Sequence, residues 1–272
     1  MGVAIPASAT TTGIGIWEPL FIGGPERELY AGLHRSGAPA PCLGVLLVPP
    51  LFHELPRSRR LLAEVASGLA ASGLPSLRFD FFGTGDSAGD SEECNFASMC
   101  ADIEMALRTL CAETGVRRIA VLAWRGGSMP LLASSKSDPR TVVSVLWEPI
   151  LDGAAWLAEL ERLDAAERTA GSRAHQTEAE DGIAGQLMGV AVSKRLRRDI
   201  GTACVPDSPT RVPHWIVARP DSALLRSADR TFMLPADAPT FGDGVRMDQA
   251  LFMSPSLQPV IGQLAGALLE MS

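Results

Sequence analysis

The residues best suited to chemistry lie where an apolar run gives way to small residues. Residues 117–124 read RRIAVLAW, and Arg125, Gly126, Gly127 and Ser128 follow directly. An apolar run that ends in glycines predicts a strand, a tight turn and then a helix, with Arg125 at the tip of the turn. A guanidinium stays protonated and cannot act as a nucleophile. Beside the free N–H groups of a helix start, it can instead bind a carboxylate or a phosphate.

Two interpretations of Arg125 follow from this placement. In the first, Arg125 holds an anionic or carbonyl-containing small molecule. In the second, Arg125 forms a structural ion pair, because a buried arginine must find an anion. The expected partners are Glu148, which ends a neighbouring apolar run, and Asp221, which follows a later one.

Groups that could transfer a proton follow another apolar run. His53 and Glu54 come shortly after residues 42–48, at the expected mouth of a pocket. A loop histidine is more often solvated or a helix cap, so both interpretations stay open. The candidate catalytic residues are His53, Glu54, Arg125, Glu148 and Asp221, and the candidate substrate-binding residues are Phe52, Trp124, Gly126 and Ser128.

The elements that position these residues alternate between strands and helices. Continuous apolar runs predict strands that are covered on both faces, and apolar residues at helical spacing predict the helices between them. An opening antiparallel pair is expected over 14–22 and 28–34. The later strands are expected at 42–48, 76–82, 117–124, 141–147, 213–219 and 231–235, and the helices at 57–72, 96–113, 127–135 and 257–270. This rhythm predicts an α/β fold with a mostly parallel central sheet and helices on both faces.

The rhythm of strands and helices breaks over residues 152–205. This stretch contains the charge-rich helical pattern WLAELERLDAAER and the basic segment KRLRRD, which we expect to form a turn, and it has no strand-like run. We therefore expect a helical cap over 152–205, inserted between a first core part at 1–151 and a last core part at 206–272.

Four segments resemble one superfamily. They are VPPLFHELPRSRR, RFDFFGTGDSAGD, VLAWRGG and VLWEPILDG. Together they resemble the α/β-hydrolase superfamily and, within it, the exosortase A system-associated hydrolases, type 2. The resemblance implies an α/β-hydrolase fold with an inserted helical cap, and a hydrolytic or acyl-transfer ancestry.

The resemblance also implies a serine nucleophile at the strand-to-helix turn, in the pattern Gly-x-Ser-x-Gly. Matched to this sequence, the serine position holds Arg125. The general-base histidine is expected over about 240–255, and no histidine occurs there. Both groups are therefore expected to be missing from the triad.

Ser128 offers an alternative nucleophile, because residues 126–130 form an altered and shifted version of the same pattern. The shift places Ser128 in the first turn of the following helix, and Pro130 replaces a glycine. The competing interpretation is helix capping or packing.

Composition excludes several classes of function. The formal net charge is −7, and no basic block is interleaved with aromatic residues, which argues against nucleic acid as a partner. No apolar run approaches the ~20 residues of a membrane helix. The five cysteines form no CxxC pair. We expect a cytoplasmic protein with no membrane partner, no metal and no cofactor.

Three functions from different classes stay open. The first is an atypical enzyme that performs non-serine acid–base chemistry, of the isomerase, epimerase, cyclase or lyase type, on a carbonyl- or carboxylate-bearing small molecule. The second is a catalytically dead binding or partner subunit, a pseudo-hydrolase, either as a homo-oligomer or paired with a paralogous hydrolase. The third is a serine hydrolase that uses Ser128. The fold alone does not separate them.

Overall fold

The computed structural model describes residues 17–37, 41–133, 138–171, 185–204, 212–222, 228–241 and 250–271. In chain order the elements are β1 (Glu18–Gly24), β2 (Arg27–His34), β3 (Leu43–Val48), α1 (Glu54–Ala71), β4 (Ser76–Phe79), α2 (Phe96–Thr114), β5 (Arg118–Trp124), α3 (Ser128–Ala133), β6 (Thr141–Trp147), α4 (Gly153–Gly171), β7 (Gln186–Leu187), β8 (Val190–Ala191), α5 (Lys194–Thr202), β9 (His214–Ala218), β10 (Arg230–Met233) and α6 (Gln258–Leu269). Single 3₁₀ turns occupy Ser91–Glu93 and Arg125–Gly127.

Eight of these strands form one sheet, in the order β1-β2-β4-β3-β5-β6-β9-β10. β2 runs antiparallel to β1 and β4, and the other neighbouring strands are parallel. The predicted fold class, a mostly parallel sheet, is therefore confirmed. The carboxyl ends of β3, β5, β6 and β9 meet at one edge, which is where ligands bind in open α/β sheets.

The central strand β3 is covered on both faces, which explains its continuous apolar sequence LGVLLV. Leu46 and Val48 belong to the core on the α2 side of the sheet. Val45 and Leu47 belong to the core on the side of α1 and α6. The sheet thus lies between two helical layers, as predicted.

The segment between β6 and β9 contains α4, a short antiparallel hairpin of β7 and β8, and α5. The prediction that this segment contains no strand is therefore wrong. The hairpin turn has positive φ angles at Met188 (53°) and Gly189 (77°), the type I′ geometry that joins two antiparallel strands tightly. Part of the expected cap, residues 172–184 and 205, lies outside the described residues.

The structure corrects two predictions about where helices begin. The segment KRLRRD is the start of α5 and not a turn, because the Ser193 hydroxyl accepts a hydrogen bond from the Leu196 amide at 3.0 Å and caps the helix. The helix predicted over 57–72 begins at Glu54, so His53 is its N-cap residue and not part of an open loop. No helix in the described part of the chain is both long and apolar enough to span a bilayer.

Candidate active-site region

The turn after β5 forms a strained elbow. Arg125 has a φ of 48°, a left-handed conformation that is unfavourable for residues other than glycine. A Cβ atom on Gly127 would lie 2.0 Å from the carbonyl oxygen of Pro49, so only glycine lets the elbow approach the loop after β3 this closely. The turn therefore presents the Arg125 side chain at the carboxyl edge of the sheet.

Arg125 pairs with a buried acid that the sequence did not identify as its partner. Its Nε and Nη2 donate to Oε1 of Glu54 at 3.2 and 3.1 Å, and its Nη1 donates to the backbone carbonyl of Glu148 at 3.3 Å. The side chains of Arg125 and Glu54 are 18% and 2% exposed. The expected ion pair of Arg125 with the carboxylate of Glu148 or Asp221 is wrong, because Glu54, at the start of α1, takes that place.

Glu54 lies in an environment that disfavours its charged form. Burial raises the pKa of Glu54, and the nearby Glu148 adds to the rise, whereas Arg125 and Arg57 oppose it. Its second oxygen, Oε2, has no hydrogen-bond partner among the described residues. The Arg125–Glu54 pair therefore carries one unsatisfied buried oxygen.

Glu148 belongs to a second ion pair. Its Oε1 accepts a hydrogen bond from Nε of Arg219 at 3.1 Å, and Arg219 also donates to the carbonyls of Ala238 and Pro239. Burial raises the pKa of Glu148, while Arg219 and Arg125 lower it. Asp221 lies in the exposed turn after β9 and raises the pKa of Glu148 through its charge. Arg219 thus connects Glu148, at the end of β6, to the segment after β10.

Ser128 and Trp124 are buried within the elbow. Ser128 is the first residue of α3, and its hydroxyl donates to the Arg125 carbonyl at 2.7 Å. Trp124 stacks on Trp147, with ring centroids 4.1 Å apart. Both side chains are fully shielded from solvent. For Ser128 this is the packing arrangement that the sequence offered as the alternative to a nucleophile.

Helix α4 covers the elbow at Gly126. A Cβ atom there would lie 2.7 Å from the ring of Trp156, a residue of α4. Trp156 in turn packs on Phe52, with ring centroids 5.6 Å apart. The candidate substrate-binding residues Phe52 and Gly126 are therefore brought together through one aromatic side chain of the cap.

Comparisons with known proteins agree with this architecture. No protein-family model and no curated protein sequence matches the chain. Solved structures do match it over nearly their whole length. Est1E from Butyrivibrio proteoclasticus with bound ferulic acid has a TM-score of 0.60 at 17% identity, covering 92% of this chain and 98% of that one.

Two further solved structures also match nearly the whole chain at low sequence identity. A soluble variant of monoglyceride lipase from Saccharomyces cerevisiae, in complex with a substrate analogue, has a TM-score of 0.59 at 14% identity, covering 98% of this chain and 99% of that one. Mouse alpha/beta hydrolase domain-containing protein 10 has a TM-score of 0.54 at 14% identity, covering 94% and 100%. The protein has the α/β-hydrolase fold.

Phe241 is a site residue that sequence reasoning missed. In the α/β-hydrolase fold the general-base histidine follows the acid in the chain and faces the elbow. Here the Phe241 ring centroid lies 5.7 Å from Cζ of Arg125, and the Phe241 carbonyl accepts a hydrogen bond from Nη1 of Arg57 at 3.3 Å. Residues 242–249, where the sequence has no histidine, lie outside the described residues. The only signal for Phe241 was its place in the stretch expected to hold the base.

His53 lines a cavity beside the elbow. The cavity has a volume of about 580 Å³ and lies between the loop after β3, the loop after β4 and the β7–β8 hairpin. His53 is 8% exposed, and its burial, with the charges of Arg57 and Arg125, lowers its pKa to about 4. The imidazole is therefore neutral at pH 7. No group of three or more metal-binding side chains occurs in the described part of the chain.

Proposed function

We propose that this protein is a non-hydrolytic, small-molecule-binding protein with the α/β-hydrolase fold, a pseudo-hydrolase. The observation that carries the proposal is the Arg125–Glu54 ion pair at the tip of the elbow. The elbow keeps its positive φ angle and its close glycine contact, but the side chain that it presents is a guanidinium already bonded to a buried carboxylate.

Two neighbours of Arg125 support the same conclusion. The Phe241 ring stands beside the guanidinium, where a base would need a ring nitrogen to accept a proton. The Trp156 ring lies against Gly126, so the cap leaves little room for a substrate above the turn. Ser128 cannot replace the lost nucleophile in this arrangement, since its hydroxyl is buried and donates to the Arg125 carbonyl.

The charge balance favours an uncharged, carbonyl-containing ligand over an anionic one. Arg125 is neutralised by Glu54, and Arg219 is neutralised by Glu148. An anionic ligand would have to displace a carboxylate that is itself desolvated, which is costly. The binding function, alone or as the partner of a paralogous hydrolase, therefore has more support than acid–base catalysis through Arg125.

Acid–base chemistry is a second candidate, supported by one observation. Oε2 of Glu54 has no hydrogen-bond partner among the described residues, and burial raises the pKa of this carboxyl. A carboxyl with a raised pKa can act as a proton donor. Glu54 is not among the residues that line the 580 Å³ cavity, which makes the binding function the better-supported one. Assignment to the exosortase-associated subgroup rests on the four motifs of the sequence alone.

The absence of serine-hydrolase activity is the first prediction. A fluorophosphonate probe should not label the protein, and p-nitrophenyl butyrate should not be hydrolysed above the rate with denatured protein. Arg125→Ser should remain unreactive as well, because it restores a hydroxyl without a base to accept its proton. An active serine hydrolase in the same reaction serves as the positive control.

One labelling result would contradict this prediction. Stoichiometric labelling of the wild-type protein, lost in Ser128→Ala and retained in Ser222→Ala, would overturn the proposal and establish Ser128 as a nucleophile.

A further inference from the structure

The cavity beside the elbow is separate from the Arg125 centre. Its walls come from residues within three segments, 50–59, 81–99 and 188–196. None of the elbow residues 125–127 lines it. A volume of about 580 Å³ lies within the ~300–1,000 Å³ range of small-molecule sites. The cavity is therefore large enough for a ligand without any movement of the elbow.

The charged groups in the cavity wall leave no unpaired positive charge. Arg59 donates to Asp86 at 2.8 Å and to Asp80, just outside the lining, at 2.6 Å. Two carboxylates against one guanidinium leave no positive charge for an anion. Most of the remaining wall is apolar, as at Leu55, Phe81 and Met99. The wall thus favours a ligand without charge.

The polar side chains of the wall, apart from His53, mostly have partners within the protein. The Thr84 hydroxyl donates to the Phe81 carbonyl at 2.8 Å, and the Cys94 thiol donates to the Phe82 carbonyl at 2.9 Å. By contrast, the side chain of His53 lines the cavity, and its Nδ1, which is closed to solvent, has no hydrogen-bond partner among the described residues. A buried polar group without a partner is costly, so a ligand that bonds to this imidazole from the cavity would stabilise the site.

Two residues with a left-handed backbone line the cavity. They are Phe52 (φ 54°), in the loop after β3, and Met188 (φ 53°), in the turn of the β7–β8 hairpin. Such conformations persist only where the surrounding structure enforces them, and they cluster at ligand sites. The strained bend at Phe52, which no hairpin turn requires, therefore supports a built site.

We propose that this cavity binds an uncharged, largely apolar small molecule that forms one hydrogen bond, through a hydroxyl or carbonyl group, with the imidazole of His53. This proposal names the ligand class and the site for the proposed function. It rests on the proposed function in one respect, which is that the ligand is bound and not cleaved.

The test uses the full-length protein and the neutral probe N-phenyl-1-naphthylamine, whose fluorescence rises in apolar sites. The probe should bind, and decan-1-ol should displace it at least tenfold better than decanoate at pH 8. His53→Phe should weaken decan-1-ol about five- to tenfold, the value of one hydrogen bond, while probe binding changes less than twofold.

Two variants block the cavity, and one matched control does not. Ala191→Trp and Val190→Trp, both on β8, should abolish probe binding, and Ala158→Trp on the exposed face of α4 should retain it. Two blocking positions are used so that a folding defect in one leaves the other informative.

Two results would overturn the inference: equal displacement by decanoate and decan-1-ol, or wild-type probe binding by a folded blocking variant. Either result leaves the proposed loss of hydrolysis intact, because fluorophosphonate labelling tests that separately. Conversely, labelling of Ser128 would overturn the proposed function without affecting the binding data.

Discussion

At the scale of single residues, the elbow holds an arginine in a left-handed backbone conformation at the carboxyl edge of the sheet. Phe52, Arg125 and Glu148 all have positive φ angles, and they follow β3, β5 and β6 at the same edge of the sheet. Each such residue costs of order 1–3 kcal/mol, so the strain must be compensated by packing around it. The Arg125–Glu54 ion pair lies at the centre of this strained edge.

This pair leads to a prediction about Arg125→Met. Removal of the guanidinium leaves Glu54 buried without its cation, which typically costs about 3–5 kcal/mol at pH 8. The loss should shrink as the pH falls towards 5. The pKa of Glu54 is already raised by burial, and without Arg125 it rises further, so the folded state takes up a proton before the unfolded chain does. Urea unfolding at both pH values measures the effect.

A second substitution identifies the partner acid. Glu54→Gln in the Arg125→Met background should restore much of the lost stability, because no buried charge remains. Glu148→Gln in the same background should restore little, since Arg219 already neutralises Glu148. Rescue by Glu148→Gln and not by Glu54→Gln would show that the pairing described here is wrong.

Residue types could be predicted from the sequence better than residue contacts. The permanent charge of Arg125 and its position after a buried strand were readable directly from the segment VLAWRGG. The partner of Arg125 could not be predicted, because Glu54 is far away in the chain. The direction of the Glu54 side chain depends on the bend at Phe52 and on the early start of α1. Apolar periodicity contains no information about such a bend.

At the scale of elements, strands buried on both faces were the easiest to predict. β6 was predicted at its observed bounds, because its apolar run has no alternation and ends at a charged residue. The β7–β8 hairpin was missed because its strands have only two residues each, and its turn residues, Met188 and Gly189, lack the usual Asn-Gly or Asp-Gly signal.

The close contact between the elbow and the loop after β3 leads to a prediction about Gly127→Ala. The new Cβ would meet the Pro49 carbonyl oxygen at 2.0 Å, so one of the two backbone segments would have to shift. We expect a loss of about 1–3 kcal/mol or more in the free energy of unfolding. Thermal and urea unfolding of the purified variant measure it.

Gly266→Ala is the matched control for this substitution. Gly266 lies on the exposed side of α6, where an added Cβ meets nothing within 4 Å. Alanine is a better helix former than glycine, so this variant should gain about 0.5–1 kcal/mol. A Gly127→Ala variant as stable as wild type would contradict the close packing of the elbow against the loop.

At the scale of the whole molecule, buried titratable groups couple stability to pH. Burial raises the pKa of Glu54, Asp80 and Asp102, so each of these carboxyls favours folding as the pH falls. Two buried histidines act in the opposite direction. Burial lowers the pKa of His34 and of His53 from 6.5 to about 4.

The last prediction separates the histidines from the carboxyls. Between pH 6.5 and about 4 the unfolded chain binds protons at His34 and His53 that the folded chain does not, so stability falls as the pH falls. Between pH 7.5 and pH 5 this costs about 2 kcal/mol for each histidine. Over that interval the free energy of unfolding of His53→Gln should therefore fall by about 2 kcal/mol less than that of wild type. For the double variant with His34→Gln the difference should be about 4 kcal/mol. Each variant's value at pH 7.5 is its own reference, which removes any packing cost of the substitution. If urea unfolding gives parallel pH curves for wild type and both variants, the two imidazoles are protonated equally in the folded and unfolded states, and His53 is not the neutral group that the cavity requires.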